Sequence, residues 1–396
     1  MPILGSFRAS DLAPVDDFEA LAAALGTGTR EDCAFIHAPR SGVAHTPAGL
    51  VRGVNLFGPG VSAEMTATPG SIARMREVTS VALNDARFVA SSMSVIDCRD
   101  RVFLDGIDNL GGAEALAGYD PHYARDADGA LRLDEGYAAR ATYIDCVALP
   151  VCGPGLPNYG HFLYDGLCAV WLHAQLLGGR PLRVVGQPLL PWQREILAAV
   201  GLEPLYLEVT GPVVFRKLLT TTLLSLHVSY PTAFVRPLFD LMRFRFGTAA
   251  APLRRVFFSR AADVGRRVLR NRPEIEARMR DLGFEVVRPE RLSFRDQVRL
   301  MAEAAFVAGE SGAAMANLGF CPPGTRVLEI QPERFVEGWT RGMCFQFAHR
   351  WHVYFAKVDS APVVGSDGAP QDPNQVFSYV VDAAELARAV EAIDTA

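Results

Sequence analysis

The fold of this chain is decided by residues 255–331, which read RVFFSRAADVGRRVLRNRPEIEARMRDLGFEVVRPERLSFRDQVRLMAEAAFVAGESGAAMANLGFCPPGTRVLEIQ. Short apolar runs, rich in β-branched and aromatic residues, alternate with segments that carry helix start and stop signals. Strands that alternate with helices at this spacing predict right-handed βαβ units on a parallel sheet. We predict strands at 255–259, 284–287, 305–309 and 325–331, and helices at 271–283 and 293–304.

The segment GESGAAMAN (309–317) joins the third of these strands to a short predicted helix. Its small residues let the backbone approach a ligand, and the start of the helix presents unpaired N–H groups, so a phosphate is the expected occupant. Glu329 ends the next strand, where carboxylates of nucleotide-binding sheets accept hydrogen bonds from ribose hydroxyls. The alternative is a tight strand–helix crossing that needs small residues for packing, with Glu329 as an exposed residue at its strand end.

Arginines follow the first strand of this region, in the run FSRAADVGRRVLRN (258–271). Arg260 is predicted at the carboxyl edge of the sheet, where a guanidinium can neutralise a diphosphate. Arg267 and Asn271 follow on the same loop and are further candidates for ligand contacts. For Arg266 a solvated position in a basic loop is the better interpretation.

A second candidate site lies at the start of the predicted helix NYGHFLYDGLCAVWLHAQLLGG (158–179), which follows a loop rich in Gly and Pro. His161 and Asp165 are four residues apart and therefore share one helix face. A carboxylate beside an imidazole can act as a general base on a hydroxyl group, with either residue orienting the other. A structural histidine is the alternative. Asn158 and Tyr159 either position a substrate or cap the helix.

The rest of the chain predicts a second α/β unit before the first. Strands and helices alternate from residue 158 to residue 247, and residues 248–255 resemble a linker. Residues 94–106 and 141–149 read as strands of a strand-rich N-terminal region. We therefore expect an α/β protein in which two open α/β units face a cleft. The predicted divisions are an N-terminal strand-rich region with an acceptor domain (1–248), a nucleotide-binding domain (249–376) and a C-terminal helix (377–396).

Composition narrows the class of protein. The chain has 396 residues, of which 49% are hydrophobic and 21% charged, so it can bury a full core. A net charge of −5 argues against a nucleic-acid binder. Seven cysteines without metal-finger spacing indicate reduced thiols, and no signal peptide or membrane span is expected. We expect a cytoplasmic location, with peripheral attachment to the inner face of the membrane and homo-oligomerisation left open.

Four motifs occur in order and together resemble glycosyltransferase family 61 over roughly residues 150–335: HFLYD (161–165), the SR…R…N run (259–271), the SFRDQV helix and GESGAAMANLGFCPPGTRVLEI (309–330). The resemblance implies a GT-B-like pair of Rossmann-like domains. It also implies an inverting, metal-independent hexosyl- or pentosyltransferase without a cofactor, whose donor is a nucleotide sugar, commonly UDP-linked. The composition looks bacterial, so a capsular or other envelope polysaccharide is the expected acceptor. No DxD metal motif stands beside residues 309–317, which are called the Gly-rich turn from here on.

The resemblance also implies roles for individual residues. His161 or Asp165 would be the catalytic base, and Asn158 and Tyr159 would contact the acceptor. Ser311 stands where the family usually has a histidine, which weakens the case for a side-chain contact to phosphate at that position. The donor-binding residues would be Arg260, Arg267, Asn271, Gly309, Glu310, Ser311, Gly312, Ala313, Asn317 and Glu329.

Two other functions compete with this interpretation. An NAD(P)-dependent oxidoreductase would also place a carboxylate at Glu329, but Gly309 and Gly312 are spaced GxxG and no GxGxxG fingerprint is present. A non-catalytic relative that binds nucleotide sugars or glycans is suggested by Ser311.

Overall fold

The computed structural model describes residues 3–26, 32–37, 44–45, 56–60, 72–73, 78–107, 112–151, 157–222, 231–248, 250–260, 267–335, 338–359, 363 and 376–395. Its Cα packing divides the chain into two compact units. The first comprises Met1–Val43 and Arg74–Leu238, and the second comprises Ala44–Ala73 and Phe239–Ala396. The division therefore falls ten residues before the predicted boundary at 248/249, and it groups the C-terminal helix with the second unit.

The second unit contains the whole stretch, residues 255–331, from which the fold was predicted. Its strands are β4 (Ala44–His45), β5 (Leu56–Phe57), β6 (Ile72–Ala73), β16 (Arg254–Phe258), β17 (Arg267–Leu269), β18 (Glu285–Val287), β19 (Ala304–Glu310), β20 (Arg326–Pro332), β21 (Arg350–Ala356), β22 (Val358–Asp359) and β23 (Phe377–Tyr379). Its helices are α7 (Arg236–Phe246, which begins just before the unit boundary), α8 (Arg272–Asp281), α9 (Phe294–Ala302), α10 (Trp339–Gln346) and α11 (Ala383–Asp394), with 3₁₀ turns at Pro289–Arg291 and Ala313–Phe320.

Six strands form one sheet in the order β18-β16-β19-β20-β21-β5, and every pairing in it is parallel. The predicted parallel sheet is therefore confirmed. Consecutive residues of a strand point to opposite faces of the sheet, and here both are buried, as in Phe306 and Val307 of β19. One face packs against Ile275 and Met279 of α8 and against Leu386 of α11. Burial on both faces explains why these strands read as continuous apolar runs.

Helix ends in this unit follow local sequence signals. The Ser293 side chain accepts a hydrogen bond from the Asp296 backbone N–H at the start of α9, and Asp382 does the same for Glu385 at the start of α11. Both helices begin with a Ser or Asp followed three residues later by an acidic residue, a capping pattern that is legible in the sequence. The helix expected after the Gly-rich turn is a 3₁₀ helix, Ala313–Phe320.

The first unit has strands β1 (Gly5–Phe7), β2 (Ala13–Pro14), β3 (Cys33–His37), β7 (Val78–Val89), β8 (Ser94–Ile96), β9 (Arg101–Phe103), β10 (Tyr123–Arg125), β11 (Leu131–Leu133), β12 (Thr142–Pro150), β13 (Arg183–Gly186), β14 (Tyr206–Glu208) and β15 (Pro212–Thr221). Its helices are α1 (Phe18–Ala24), α2 (Ala113–Tyr119), α3 (Glu135–Ala139), α4 (Tyr159–His161), α5 (Cys168–Leu176) and α6 (Pro191–Ala199). A π-helical segment, Phe162–Leu167, joins α4 to α5, and 3₁₀ turns lie at Ala9–Asp11, Glu203–Leu205 and Ala233–Val235.

The main sheet of this unit is mixed rather than parallel throughout. Strands β15, β12, β13 and β14 are parallel neighbours, whereas β15 pairs with β7, and β7 with β8, in antiparallel fashion. The segment 94–106, expected as one strand, forms β8 and β9 as an antiparallel pair. The reason is local. The Asp97 side chain accepts hydrogen bonds from the backbone N–H groups of Arg99 and Arg101 and thereby closes a tight turn between β8 and β9.

The buried imidazole of His352 predicts a pH dependence of stability. Burial, and then the charges of Arg350 and Arg326, lower the pKa of His352 from its usual 6.5 to about 4. Between pH 6.5 and 4 the unfolded chain therefore binds a proton that the folded chain does not, and the free energy of unfolding falls as the pH falls. We expect this residue to account for roughly 2 to 3 kcal/mol of that loss.

Urea denaturation at several pH values measures the effect. His352→Gln should flatten the acid side of the stability profile, whereas His122→Gln, a histidine replacement in the first unit, serves as control. If the free energy of unfolding of His352→Gln fell with decreasing pH as steeply as that of the natural protein, the imidazole would have to take up its proton in the folded protein as readily as in the unfolded chain.

Candidate functional site

The Gly-rich turn lies where the sequence places it, at the carboxyl end of β19. Gly309 faces Phe258 of the neighbouring strand in the parallel register. A Cβ atom at Gly309 would lie 2.8 Å from the Phe258 Cβ and 2.9 Å from its carbonyl oxygen. Close packing between two strands therefore accounts for this glycine without a ligand, as the packing alternative proposed.

Gly312 has a different role, because Arg260 occupies the space beside it. A Cβ atom at Gly312 would lie 1.6 Å from Nη2 of Arg260. The same nitrogen donates a hydrogen bond to the carbonyl oxygen of Ser311. Arg260 follows β16, and the turn follows β19, so the parallel pairing of these strands brings the guanidinium onto the turn. The expected proximity of Arg260 to the Gly-rich turn is therefore present.

Glu310 is the last residue of β19, and its side chain points into the interior of the unit. Its carboxylate accepts hydrogen bonds from both terminal nitrogens of Arg272 and from the hydroxyl of Tyr379, the latter at 2.7 Å. All three residues are buried. Glu310 was expected among the donor-binding residues, but the described contacts of its carboxylate are internal.

Ser311 and Asn317 are also buried. The Ser311 hydroxyl makes no hydrogen bond of good geometry among the described residues, although it is close enough to the Glu329 carboxylate to lower its pKa. The Asn317 amide nitrogen donates to Gln297 Oε1 at 3.1 Å and to the Ala314 carbonyl at 3.2 Å. Asn317 therefore holds the 3₁₀ helix that begins at Ala313.

Glu329 does not lie at the end of its strand, where the sequence predicts it. It lies in the middle of β20, opposite Gly309, and is fully buried. Thr340 donates a hydrogen bond to Oε1 at 2.7 Å, and the Trp351 indole donates one to Oε2 at 2.9 Å. Burial raises the pKa of Glu329 in spite of these donors. The carboxylate thus joins α10 to the sheet and binds a side chain of the neighbouring strand β21. Its contact with a ribose stays a prediction.

The described contacts of Arg267 and Asn271 are with residues that do not belong to the turn. The Arg267 guanidinium carbon lies 3.6 Å from the centre of the Phe335 ring, which is a cation–π contact. The Asn271 side chain donates to the Val381 carbonyl at 2.8 Å and accepts from the Val381 N–H at 3.2 Å. Asn271 therefore attaches the segment before α11 to the start of α8. Arg266 lies outside the described residues.

In the first unit, the structure brings His161 and Asp165 into direct contact. Nδ1 of His161 lies 2.7 Å from Oδ2 of Asp165. The His161 side chain is 28% exposed, whereas the Asp165 side chain is fully buried. The pair lies where α4 passes into the π-helical segment, and such segments occur frequently at functional sites.

Asn158 and Tyr159 surround the start of this helix. The Asn158 side chain accepts hydrogen bonds from the N–H groups of Gly160 and His161, so it caps the helix. The partly buried Tyr159 ring packs against Trp192 at a centroid distance of 5.6 Å, and Phe162 packs edge-on against the same indole. Contact of either residue with an acceptor stays a prediction.

The order of these features along the chain agrees with one family. Residues 159–328 match the model of the glycosyltransferase 61 family. The resemblance inferred from the motifs is thereby confirmed, and the match supports a glycosyltransferase. No curated protein matches the chain.

The glycosyltransferase 61 match contains the best-supported candidate residues of both units. It begins at Tyr159, includes His161, Asp165, Arg260 and the Gly-rich turn, and ends one residue before Glu329. Within the described residues, no group of three or more His, Cys, Asp or Glu side chains is arranged to hold a metal ion. None of the helices in the same residues combines the length and apolar character needed to cross a bilayer.

The sequence did not predict the hydrogen-bond partners of Glu310 and Glu329, the two buried carboxylates near the turn. Arg272 reads only as the first residue of a helix that contains Pro273, and Tyr379 reads only as part of an apolar strand. No local pattern connects either residue with Glu310, because the contacts cross 38 and 69 positions of the chain. Trp351 likewise lies 22 positions from Glu329, and its indole N–H has that buried carboxylate as its partner.

The burial of Glu329 predicts how its variants behave. Glu329→Ala leaves two buried donors, Thr340 and Trp351, without an acceptor, and we expect it to lower the free energy of unfolding by about 2 to 4 kcal/mol. Glu329→Gln retains an oxygen for Trp351 and an N–H group for the Thr340 oxygen, so a loss of about 1 kcal/mol or less is expected. Because the pKa of Glu329 is raised, the stability of Glu329→Gln should improve relative to the natural protein as the pH rises above 4.5.

Chemical denaturation measures these differences, with Glu285→Gln at an exposed ion pair as control. Equal losses for the alanine and glutamine variants would contradict the internal hydrogen bonds. A large loss of nucleotide affinity in a stably folded Glu329→Gln would instead support the ribose contact.

The contact of Arg260 with Gly312 predicts that a single methyl group displaces the guanidinium. Gly312→Ala should fold normally, because the atom in the way is the end of a flexible side chain. We expect it to weaken binding of UDP by roughly tenfold, similar to Arg260→Ala, since a charged hydrogen bond is worth about 1.5 to 3 kcal/mol. Gly211→Ala is the matched control, because nothing lies within 4 Å of the added atom. Calorimetric titration that gave the same affinity for both glycine variants would remove Arg260 from the donor site.

Proposed function

We propose that this protein is an inverting, metal-independent glycosyltransferase that moves a hexose or pentose from a nucleotide donor, with UDP as carrier, to a hydroxyl group of a glycan. The acceptor we propose is a capsular or other envelope polysaccharide. The glycosyltransferase 61 match supports the reaction class. The observation that carries the mechanism is the contact between His161 Nδ1 and Asp165 Oδ2 at 2.7 Å.

The contact and the difference in exposure support different roles for the two members of this pair. Nδ1 of His161 contacts a carboxylate, which accepts hydrogen bonds when ionised, so Nδ1 carries the proton and Nε2 retains its lone pair. The Asp165 side chain is fully buried, whereas the imidazole is partly exposed. Only His161 is therefore open to an acceptor hydroxyl. Asp165 acts through it, by holding the ring and stabilising the imidazolium that forms.

The reaction is a single displacement. As the acceptor oxygen attacks the anomeric carbon, its proton passes to Nε2 of His161. The bond between the anomeric carbon and the diphosphate oxygen breaks, and the electron pair leaves with the nucleoside diphosphate. Attack from the face opposite the leaving group inverts the anomeric configuration.

The departing diphosphate gains one negative charge on the oxygen that leaves the anomeric carbon, and the Gly-rich turn supplies donors that can stabilise it. The guanidinium of Arg260 lies against Ser311 and Gly312, where backbone N–H groups begin the 3₁₀ helix. A planar guanidinium offers several donors to phosphate oxygens at once. Fixed donors of this kind stabilise developing charge without reorganisation.

Nucleoside diphosphate release from a panel of nucleotide sugars, measured with and without EDTA, tests the proposal. We expect release from a UDP-sugar that persists in EDTA. His161→Gln should lower kcat by about 10²- to 10⁴-fold, the usual contribution of a general base, and Asp165→Asn by less. Both variants should retain the affinity for UDP, because neither residue belongs to the donor-binding group.

His122→Gln controls for loss of a histidine elsewhere in the first unit, and thermal unfolding checks that Asp165→Asn is folded. Full turnover by His161→Gln would remove it from the base role. Tight UDP binding without release from any donor would favour the non-catalytic relative, and loss of activity in EDTA would contradict metal independence.

A further inference from the structure

The Glu310 cluster is defined here as Glu310, Arg272 and Tyr379. It lies on the buried side of the Gly-rich turn, to which Glu310 itself belongs. Glu310 is bonded covalently to Ser311, so its carboxylate belongs to the same turn that Arg260 contacts. The Tyr379 hydroxyl donates to Oε2 at 2.7 Å, and Arg272 Nη2 donates to the same oxygen at 3.3 Å. Arg272 Nη1 donates to the other oxygen, Oε1. The carboxylate is thus held at both oxygens.

A buried carboxylate is an unfavourable neighbour for a diphosphate. Like charges a few ångströms apart repel strongly inside a protein, where the dielectric constant is low. This repulsion is offset only if the carboxylate is paired with a positive charge. Arg272 supplies the opposite charge, and Tyr379 supplies a second donor. Burial, and then the charge of Glu310, raise the pKa of Tyr379 far above its usual value, so its hydroxyl keeps the proton that it donates.

Tyr379 is held in place by the backbone. It lies on β23, opposite Leu269 of β17 in the parallel register, and its carbonyl accepts from the Arg270 N–H at 3.0 Å. Two residues later, Val381 exchanges hydrogen bonds with Asn271, the residue before Arg272. The segment that carries Tyr379 is therefore fixed to the start of α8, which carries Arg272. Tyr379 lies well beyond the end of the family match at residue 328.

We infer that Tyr379 is a positioning residue for the donor diphosphate, which acts with Arg272 by holding and neutralising the Glu310 carboxylate behind the Gly-rich turn. This inference rests on the proposed function. It adds the C-terminal strand β23 to the donor-binding part of the protein. With Glu310 held inward, the turn and the Arg260 guanidinium that lies against it present donors to the phosphates without a competing negative charge.

The same unit offers a matched control in Tyr354. It is also fully buried in the same core, and its hydroxyl donates to a carboxylate, Glu385 Oε2, at 3.2 Å. Tyr354→Phe and Tyr379→Phe therefore remove the same atom from the same kind of contact. Only the partner of Tyr379 adjoins the Gly-rich turn.

Calorimetric titration with UDP, GDP and ADP first identifies the nucleoside diphosphate that the natural protein binds most tightly. For that nucleotide, we expect Tyr379→Phe to raise Kd about fivefold to tenfold, the effect of losing one hydrogen bond to a charged group. Tyr354→Phe should stay within about twofold, although thermal unfolding should show similar losses of stability for both variants.

A double-mutant cycle with Glu310→Gln separates the electrostatic role from a purely structural one. If Tyr379 acts through the charge of Glu310, Tyr379→Phe should change Kd little in the Glu310→Gln background. Equal changes of Kd in Tyr379→Phe and Tyr354→Phe, or an undiminished effect of Tyr379→Phe beside Glu310→Gln, would overturn the inference alone. Failure of the natural protein to bind any of the three nucleotides would overturn the proposed function and the inference with it.

Discussion

The contact between Arg260 and the backbone at Gly312 is the constraint on which the candidate donor site depends. The guanidinium occupies the space that a Cβ atom at position 312 would fill, and it donates to the carbonyl of Ser311. A cation is thereby fixed at the carboxyl end of a parallel sheet, beside the first N–H groups of a helix. Positive potential from three sources, the side chain, the helix start and the turn, is concentrated in one place.

The two carboxylates of this region, Glu310 and Glu329, both face the interior. Each would be costly to bury alone, and each has internal donors: Arg272 and Tyr379 for the first, Thr340 and Trp351 for the second. The consequence is electrostatic as well as structural, because both negative side chains near the turn are buried and paired with internal donors. The network also distributes the site over parts of the chain that lie beyond the matched family region.

The chemistry proposed for the first unit depends on the difference in exposure between His161 and Asp165. A fully buried carboxylate gives the imidazole a fixed orientation and tautomer, while the imidazole retains access to solvent. The π-helical segment that begins at Phe162 carries Asp165 inward at this point. Asn158 fixes the start of the helix, so the position of His161 is determined on both sides.

The sequence alone determined the parallel sheet of residues 255–331, the caps at Ser293 and Asp382, the neighbourhood of Arg260 and the turn, and the His161–Asp165 pair. All of these follow from short-range signals: apolar runs, capping patterns, i,i+4 spacing and the order of strand ends. Only the tertiary structure decided that Glu310 and Glu329 are buried, that Asn271 holds Val381, and that the first sheet is mixed. Such outcomes depend on contacts between residues distant in the chain. The local sequence around a carboxylate at a strand end is the same whether that carboxylate binds solvent, a ligand or a buried arginine.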